Sequence, residues 1–157
     1  MPSTESFSQV YNRRYVRGGR VQPEDDSWDR EEAVIELDAR FSPDALAGLG
    51  VFSHIEVVFH FDKVAESEIH TGARRPRGNP DWPAVGIFAQ RGKARPNRIG
   101  VSVCRLLSVK GLRLTVRGQD AIDGTPVLDI KPVLKGFLPR GDVTEPAWAR
   151  EIMKDYR

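Results

Sequence analysis

Apolar and polar residues alternate most regularly from Phe52 to Asp62, FSHIEVVFHFD. Ile55, Val57, Phe59 and Phe61 recur at every second position, with His54, Glu56, Val58 and His60 between them. That is the period of a strand with one strongly buried face. Ala33–Leu37 reads as an earlier strand, and Val85–Ala89, Gly100–Leu107, Leu112–Arg117 and Val127–Ile130 read as later ones. A further short strand is expected around Gln9–Val16, behind a disordered N-terminal tip. Helical signals occur twice. Ser42 to Gly50 carries an N-cap serine, Pro43 at the first helical position, and Gly48 or Gly50 as its stop. Pro146 to Tyr156 places Trp148, Ile152 and Met153 or Tyr156 on one stripe. Short strands at spacings of roughly 10–15 residues, with a single helical crossover, predict a mainly β fold. The expected architecture is one closed or nearly closed β-barrel with one short internal helix and a C-terminal helix.

Length and composition narrow this picture. The 157 residues suit one domain, 1–157, with a real core. No apolar run approaches the roughly 20 residues a membrane-spanning helix needs, and the N-terminus lacks the apolar stretch of a secretory signal. A cytoplasmic location is expected. The single cysteine, Cys104, cannot form an intrachain disulfide; it reads as a small buried hydrophobe, with a nucleophile as the alternative. The histidines lack companions at metal-ligand spacing, so no metal site is expected. Trp28 stands inside the acidic, loop-like QPEDDSWDREE. It packs over an edge of the core or lines a binding pocket.

Charge is distributed unevenly. Glu24 to Asp38 holds eight acids against Arg30 alone, whereas Arg74 to Arg98 holds seven bases against Asp81 alone, with Trp82 and Phe88 among them. The basic stretch could meet a polyanion or be a solvated face. Glu66 to Pro83, rich in Gly and Pro, is expected to be a long surface loop.

Two loops concentrate the candidate chemistry. In Arg91-Gly-Lys-Ala-Arg-Pro-Asn-Arg98, Pro96 pushes Arg95 towards an extended conformation and Asn97 favours a turn. Guanidinium forks on a stiff turn suit carboxylates or phosphates, and a solvated hairpin loop is the competing reading. In Gln119-Asp-Ala-Ile-Asp-Gly-Thr-Pro126, two carboxylates lie three residues apart beside an Asp-Gly that permits a positive φ. Such a turn can hold a polar ligand with an amine and hydroxyls, or it is a plain reverse turn. The glycine-rich nucleotide loops, H-E-x-x-H and G-x-S-x-G are absent from the sequence.

Three collinear stretches, FSHIEVVFHF, GIFAQRGKARPNRIGVSVCRLL and DAIDGTPVLDIKP, run from Phe52 to Pro132 within a matching region of roughly residues 33–132. Together they resemble the TsaA-like, or TrmO-type, family of S-adenosylmethionine-dependent methyltransferases. The resemblance implies a β-barrel enzyme that acts as a homodimer, binds S-adenosylmethionine near the subunit interface and methylates N6 of threonylcarbamoyladenosine 37 in tRNA. Carried over by motif, it implies cofactor contacts at His60, Arg91, Val101, Asp120, Ala121, Ile122 and Asp123, and substrate contacts at Arg95, Asn97 and Lys131. Methyl transfer by in-line displacement needs no covalent nucleophile, which fits the absence of an activated Cys or Ser. QPEDDSWDREE replaces the family's P-R-Q-P-G-like segment; Phe61 replaces a frequent glutamine, Arg98 a frequent proline, and Val133 the tyrosine of K-P-Y. The extra C-terminal domain of some bacterial members is expected to be missing. A small-molecule methyltransferase and a non-catalytic S-adenosylmethionine- or RNA-binding module are the alternative functions.

Overall fold

The strongest alternation in the chain forms an interior strand of the main sheet. In this computed structural model, which describes residues 14–17 as backbone and 27–156 in full, that strand is β3, His54–His60. Ile55, Val57 and Phe59 are fully buried, while the residues between them are half-buried. The other strands are β1 (Arg14–Arg17), β2 (Glu32–Glu36), β4 (Ala73–Arg74), β5 (Val85–Gly86), β6 (Ile99–Lys110), β7 (Arg113–Arg117) and β8 (Pro126–Pro132). A seven-residue helix, α1 (Ala147–Met153), lies near the C-terminus.

β2, β7, β6, β3 and β8 form a five-stranded antiparallel sheet, and β4 and β5 form a separate two-stranded one. The expectation of a single barrel with an internal helix is corrected in two respects: a small second sheet stands beside the main one, and the expected internal helix is two 3-10 turns. The fold is carried by the five-stranded sheet, whose outer strands β2 and β8 are linked only through the four-residue β1. β1 pairs with β2 at three positions and with β8 at two. β1 thereby closes the ring of strands β1-β2-β7-β6-β3-β8, with few main-chain pairs on either of its sides. The rest of the strand expected at Gln9–Val16, and the N-terminal tip, lie outside the described residues.

The internal helix gives way to two 3-10 turns, Pro43–Leu46 and Leu49–Val51. Ser42 caps the first as expected, its hydroxyl accepting from the Asp44 amide at 3.2 Å. Gly48, at φ 82°, then turns the chain out of the helical region. Only Leu46 of the first turn is buried, and so short a segment with one anchoring side chain cannot repay helix nucleation. Val85–Ala89 differs in the same sense, since the strand ends at Gly86 and a 3-10 turn, Ile87–Ala89, follows. The long Glu66–Pro83 segment is mostly exposed, as its composition demands, but carries β4 and two 3-10 turns.

The core gathers Ile35, Ile55, Val57, Phe59, Leu114 and Val116 from three strands, β2, β3 and β7. Across β3 and β6, facing pairs share a side of the sheet: Ile55 meets Cys104, Val57 meets Ser102, and Phe59 meets Gly100. Gly100 is required there. A Cβ at that position would lie 2.5 Å from the Phe59 ring and 2.8 Å from that of Phe61, two rings that pack edge to face at 5.2 Å. Cys104 is fully buried, so it fills space in the core. Among the described residues, no helix is long and apolar enough to cross a membrane.

Candidate functional site

The inward-facing side of β6 changes character along its length. Cys104 packs with the aliphatic core, whereas two residues earlier the inward position is Ser102, a hydroxyl that is 1% exposed. A buried hydroxyl needs a partner. Ser102 Oγ donates to Oδ1 of Asp120, at the start of the acidic turn. The other oxygen, Oδ2, accepts from the Tyr156 hydroxyl near the C-terminus. The half-buried Asp120 is thus held by two hydroxyls from separate parts of the chain. An ionised carboxylate has about four acceptor positions, so two remain for a ligand.

The neighbouring residues show how the turn is built. Gln119 is buried, its Oε1 accepting from Cys104 Sγ at 3.1 Å, while its Nε2 is buried with no hydrogen-bond partner. Ala121 joins the hydrophobic core. The Ile122 carbonyl accepts from the Thr125 hydroxyl at 2.7 Å and the Thr125 amide at 3.2 Å, and Gly124 adopts φ 85° as the Asp-Gly pair suggested. Asp123 is exposed.

The basic loop reaches this region through Arg91. Its Nη2 donates to the carbonyl of Val101 at 3.0 Å, one residue before Ser102. The structure therefore brings Arg91, Val101 and Asp120 together around the first residues of β6. Arg95 Nη1 donates to the carbonyls of Gln90 at 2.7 Å and Gly92 at 3.4 Å, both within its own loop. Arg98, with φ 53°, reaches the Val64 carbonyl at 2.8 Å, and its own carbonyl accepts from the Phe61 amide. Asn97 is exposed at the loop tip.

His60 and Lys131 lie elsewhere. His60 is the last residue of β3, on the outward side opposite Ile99, and its Nε2 is buried without a partner. Burial holds its pKa below the ordinary 6.5; the Arg98 charge adds to this and Asp62 opposes it. Lys131 is on the outward side of β8, opposite Glu56, and pairs with Asp129, which raises its pKa first by hydrogen bonding and then by charge. No bond joins Lys131 to Arg95 or Asn97. A shallow outer groove of about 350 Å3, lined by Asp29, His54, Val103, Arg105 and Arg117, contains none of the expected site residues.

Sequence reasoning missed Ser102, Gln119 and Tyr156. Ser102 is marked in the sequence as a hydroxyl at an inward position of an otherwise apolar alternation, whereas Gln119 and Tyr156 stand there only as a turn residue and a helix-stripe position. Trp28 resolves as a buried residue, 4% exposed, and its amide donates to the Tyr156 carbonyl at 3.0 Å. It packs beside the segment that reaches Asp120.

Comparison with known proteins finds several similar chains. A Pyrococcus abyssi protein named as a probable S-adenosyl-L-methionine-binding protein is 38% identical over 120 residues, covering 73% of this chain and 56% of the relative. The tRNA (adenine(37)-N6)-methyltransferase of Eikenella corrodens is 40% identical over 117 residues, covering 64% of this chain and 65% of that protein. The mouse protein of the same name is 39% identical over 93 residues, covering 59% of this chain and 21% of its own length. A crystal structure of TrmO from Pseudomonas aeruginosa superposes with a TM-score of 0.68 at 30% identity, covering 86% of this chain and 58% of that one. The chain spans about half the length of the first of these relatives. Residues 19–137 match the tRNA-methyltransferase O N-terminal domain, and the chain accordingly belongs to the TrmO-type family.

Proposed function

We propose that this chain is an S-adenosylmethionine-dependent methyltransferase acting on N6 of adenosine 37 in tRNA, with the threonylcarbamoyl-bearing nucleoside as its substrate. The observation that carries the reading is the Asp120 carboxylate, held by Ser102 and Tyr156 beside the Arg91-braced start of β6. The names of the relatives, S-adenosylmethionine binding and adenine-37 N6 methylation, support the same direction.

The residues fit the proposed cofactor on chemical grounds. Asp120 keeps acceptor positions for a ribose hydroxyl or an amine, and the unpartnered Gln119 Nε2 is a donor in the same turn. When bound, the cofactor supplies an electrophilic methyl group. The chain's task is then to fix geometry, because in-line transfer mainly needs the acceptor nitrogen held in position. Arg91 and the 120–123 turn bind, while the exposed bases of the 74–98 segment meet the nucleic acid. Arg95 acts there by stiffening the loop whose carbonyls it bridges, which leaves Asn97 at the tip for contact. Lys131 and His60 are proposed as peripheral contacts. A homodimer is part of the proposal, supported by the exposed Ile99, Val103 and Leu107 along the outward side of β6.

Calorimetry tests the cofactor half: binding of S-adenosylmethionine is expected, and none at millimolar ligand overturns the reading. Nucleoside mass spectrometry of tRNA from a deletion strain tests the substrate half. N6-methylated threonylcarbamoyladenosine should disappear, and an unchanged level would exclude that substrate.

A further inference from the structure

Residues 134–147 are all exposed, and α1 has only seven residues. A helix this short is not stable alone, so its position depends on what it touches. Trp148, Ala149 and Ile152 are half-buried. Three sets of hydrogen bonds add to that contact. The amides of Ser27 and Trp28 donate to the carbonyls of Asp155 and Tyr156 at 2.8 and 3.0 Å. Trp82 Nε1 donates to Glu151 Oε2 at 2.5 Å. The Tyr156 hydroxyl donates to Asp120. Ser27 adopts φ 64° at this junction, an uncommon conformation for a non-glycine residue. The segment also lies beyond residues 19–137, the part matched to the family.

We propose that Tyr156 is a positioning residue for the cofactor-binding carboxylate Asp120, and that segment 147–156 is the strap that delivers it. The proposal rests on the methyltransferase reading above. Ser102 holds Oδ1 from beneath, and Tyr156 fixes Oδ2, so the carboxylate presents its free acceptor positions in one direction. Without the phenol, the carboxylate can turn about its terminal bond. The strap also connects Asp120 to the basic segment through Glu151 and Trp82, which links the cofactor side to the nucleic-acid side in one element.

The test is a double-mutant cycle on the full chain, read by calorimetric affinity for S-adenosylmethionine and by thermal unfolding without ligand. Tyr156→Phe keeps the ring and removes only the hydroxyl. It is expected to weaken affinity about tenfold, the scale of one hydrogen bond to a charged group. Asp120→Asn is expected to weaken it more, and adding Tyr156→Phe to Asp120→Asn should cost no further affinity. A role confined to general packing would instead lower affinity by the same factor in both backgrounds, which overturns the proposal. Unchanged affinity in Tyr156→Phe, with wild-type binding intact, overturns the strap alone. Absence of binding by the wild type overturns the methyltransferase reading and the strap with it. Non-additive unfolding temperatures in the ligand-free proteins support the Tyr156–Asp120 contact, and additive ones overturn it.

Discussion

The basic loop Arg91–Arg98 and the acidic turn Gln119–Pro126 have similar claims to a ligand in the sequence, yet the structure uses them in opposite ways. In the basic loop, Arg91, Arg95 and Arg98 all donate to main-chain carbonyls. Three guanidinium groups thereby satisfy main-chain acceptors, those of Arg95 and Arg98 in irregular segments and that of Arg91 in β6. In the acidic turn, the carboxylate of Asp120 is approached by hydroxyls from β6 and from the C-terminal segment. The first region uses charge to tie backbone carbonyls of its own loop and of neighbouring segments together. The second uses the fold to orient a charge. A run of arginines therefore says less about phosphate binding than its count suggests, because guanidinium donors serve carbonyls as readily as anions.

The sharpest way to break this comparison is to neutralise the oriented charge. Asp120→Asn should lower S-adenosylmethionine affinity by about 30-fold or more, since a charge-assisted contact is worth roughly 2–3 kcal/mol. Calorimetry measures this; an affinity within threefold of wild type would remove Asp120 from the site. Next in size is the scaffold common to both regions. Gly100→Ala forces a Cβ against the Phe59 and Phe61 rings, and overpacking of this kind costs about 1–3 kcal/mol. A thermal melt should show a midpoint lower by several degrees.

Arg95→Ala sharpens the contrast directly. If this arginine braces its loop, the substitution removes hydrogen bonds to two carbonyls and costs about 1–2 kcal/mol of stability. An unchanged melting temperature, together with a shallower salt dependence of tRNA binding, would return Arg95 to the role of a phosphate contact. The smallest effect concerns His60. Its pKa is lowered in the folded protein by burial, then by Arg98, so the unfolded chain binds the proton more readily. Stability is accordingly retained above the ordinary pKa of about 6.5 and falls as pH drops from there through the lower folded value. His60→Gln should flatten the acid side of the melting temperature against pH. Identical acid slopes in the two proteins would contradict the depressed pKa.

Much of the strand pattern was legible because alternation is a local signal. β3 emerged with Ile55, Val57 and Phe59 of its expected inward set, Phe61 falling just past its end and half-buried against the core, and β6 and β7 were located to within a few residues. The internal helix failed for an equally physical reason. Ser42 and Pro43 start a turn correctly, but a good start cannot extend a helix when Gly48 reverses the backbone and one residue, Leu46, provides the anchoring burial. The site was half legible. Motif resemblance pointed to Asp120 and Arg91, whereas Ser102 looked like an interruption of an apolar strand and Tyr156 like one stripe position of a terminal helix.

The sequence by itself determined which residues face inward on β3, where Gly-rich turns interrupt the chain, and which family the three collinear motifs belong to. Those properties depend on neighbours a few residues apart. Only the tertiary structure decided that the sheet edges meet through four residues of β1, that the arginines turn back onto carbonyls, and that Tyr156 reaches a carboxylate 36 positions earlier. These follow from which unsatisfied donors and acceptors the folded chain brings within reach. Spacing along the sequence carries no record of that proximity.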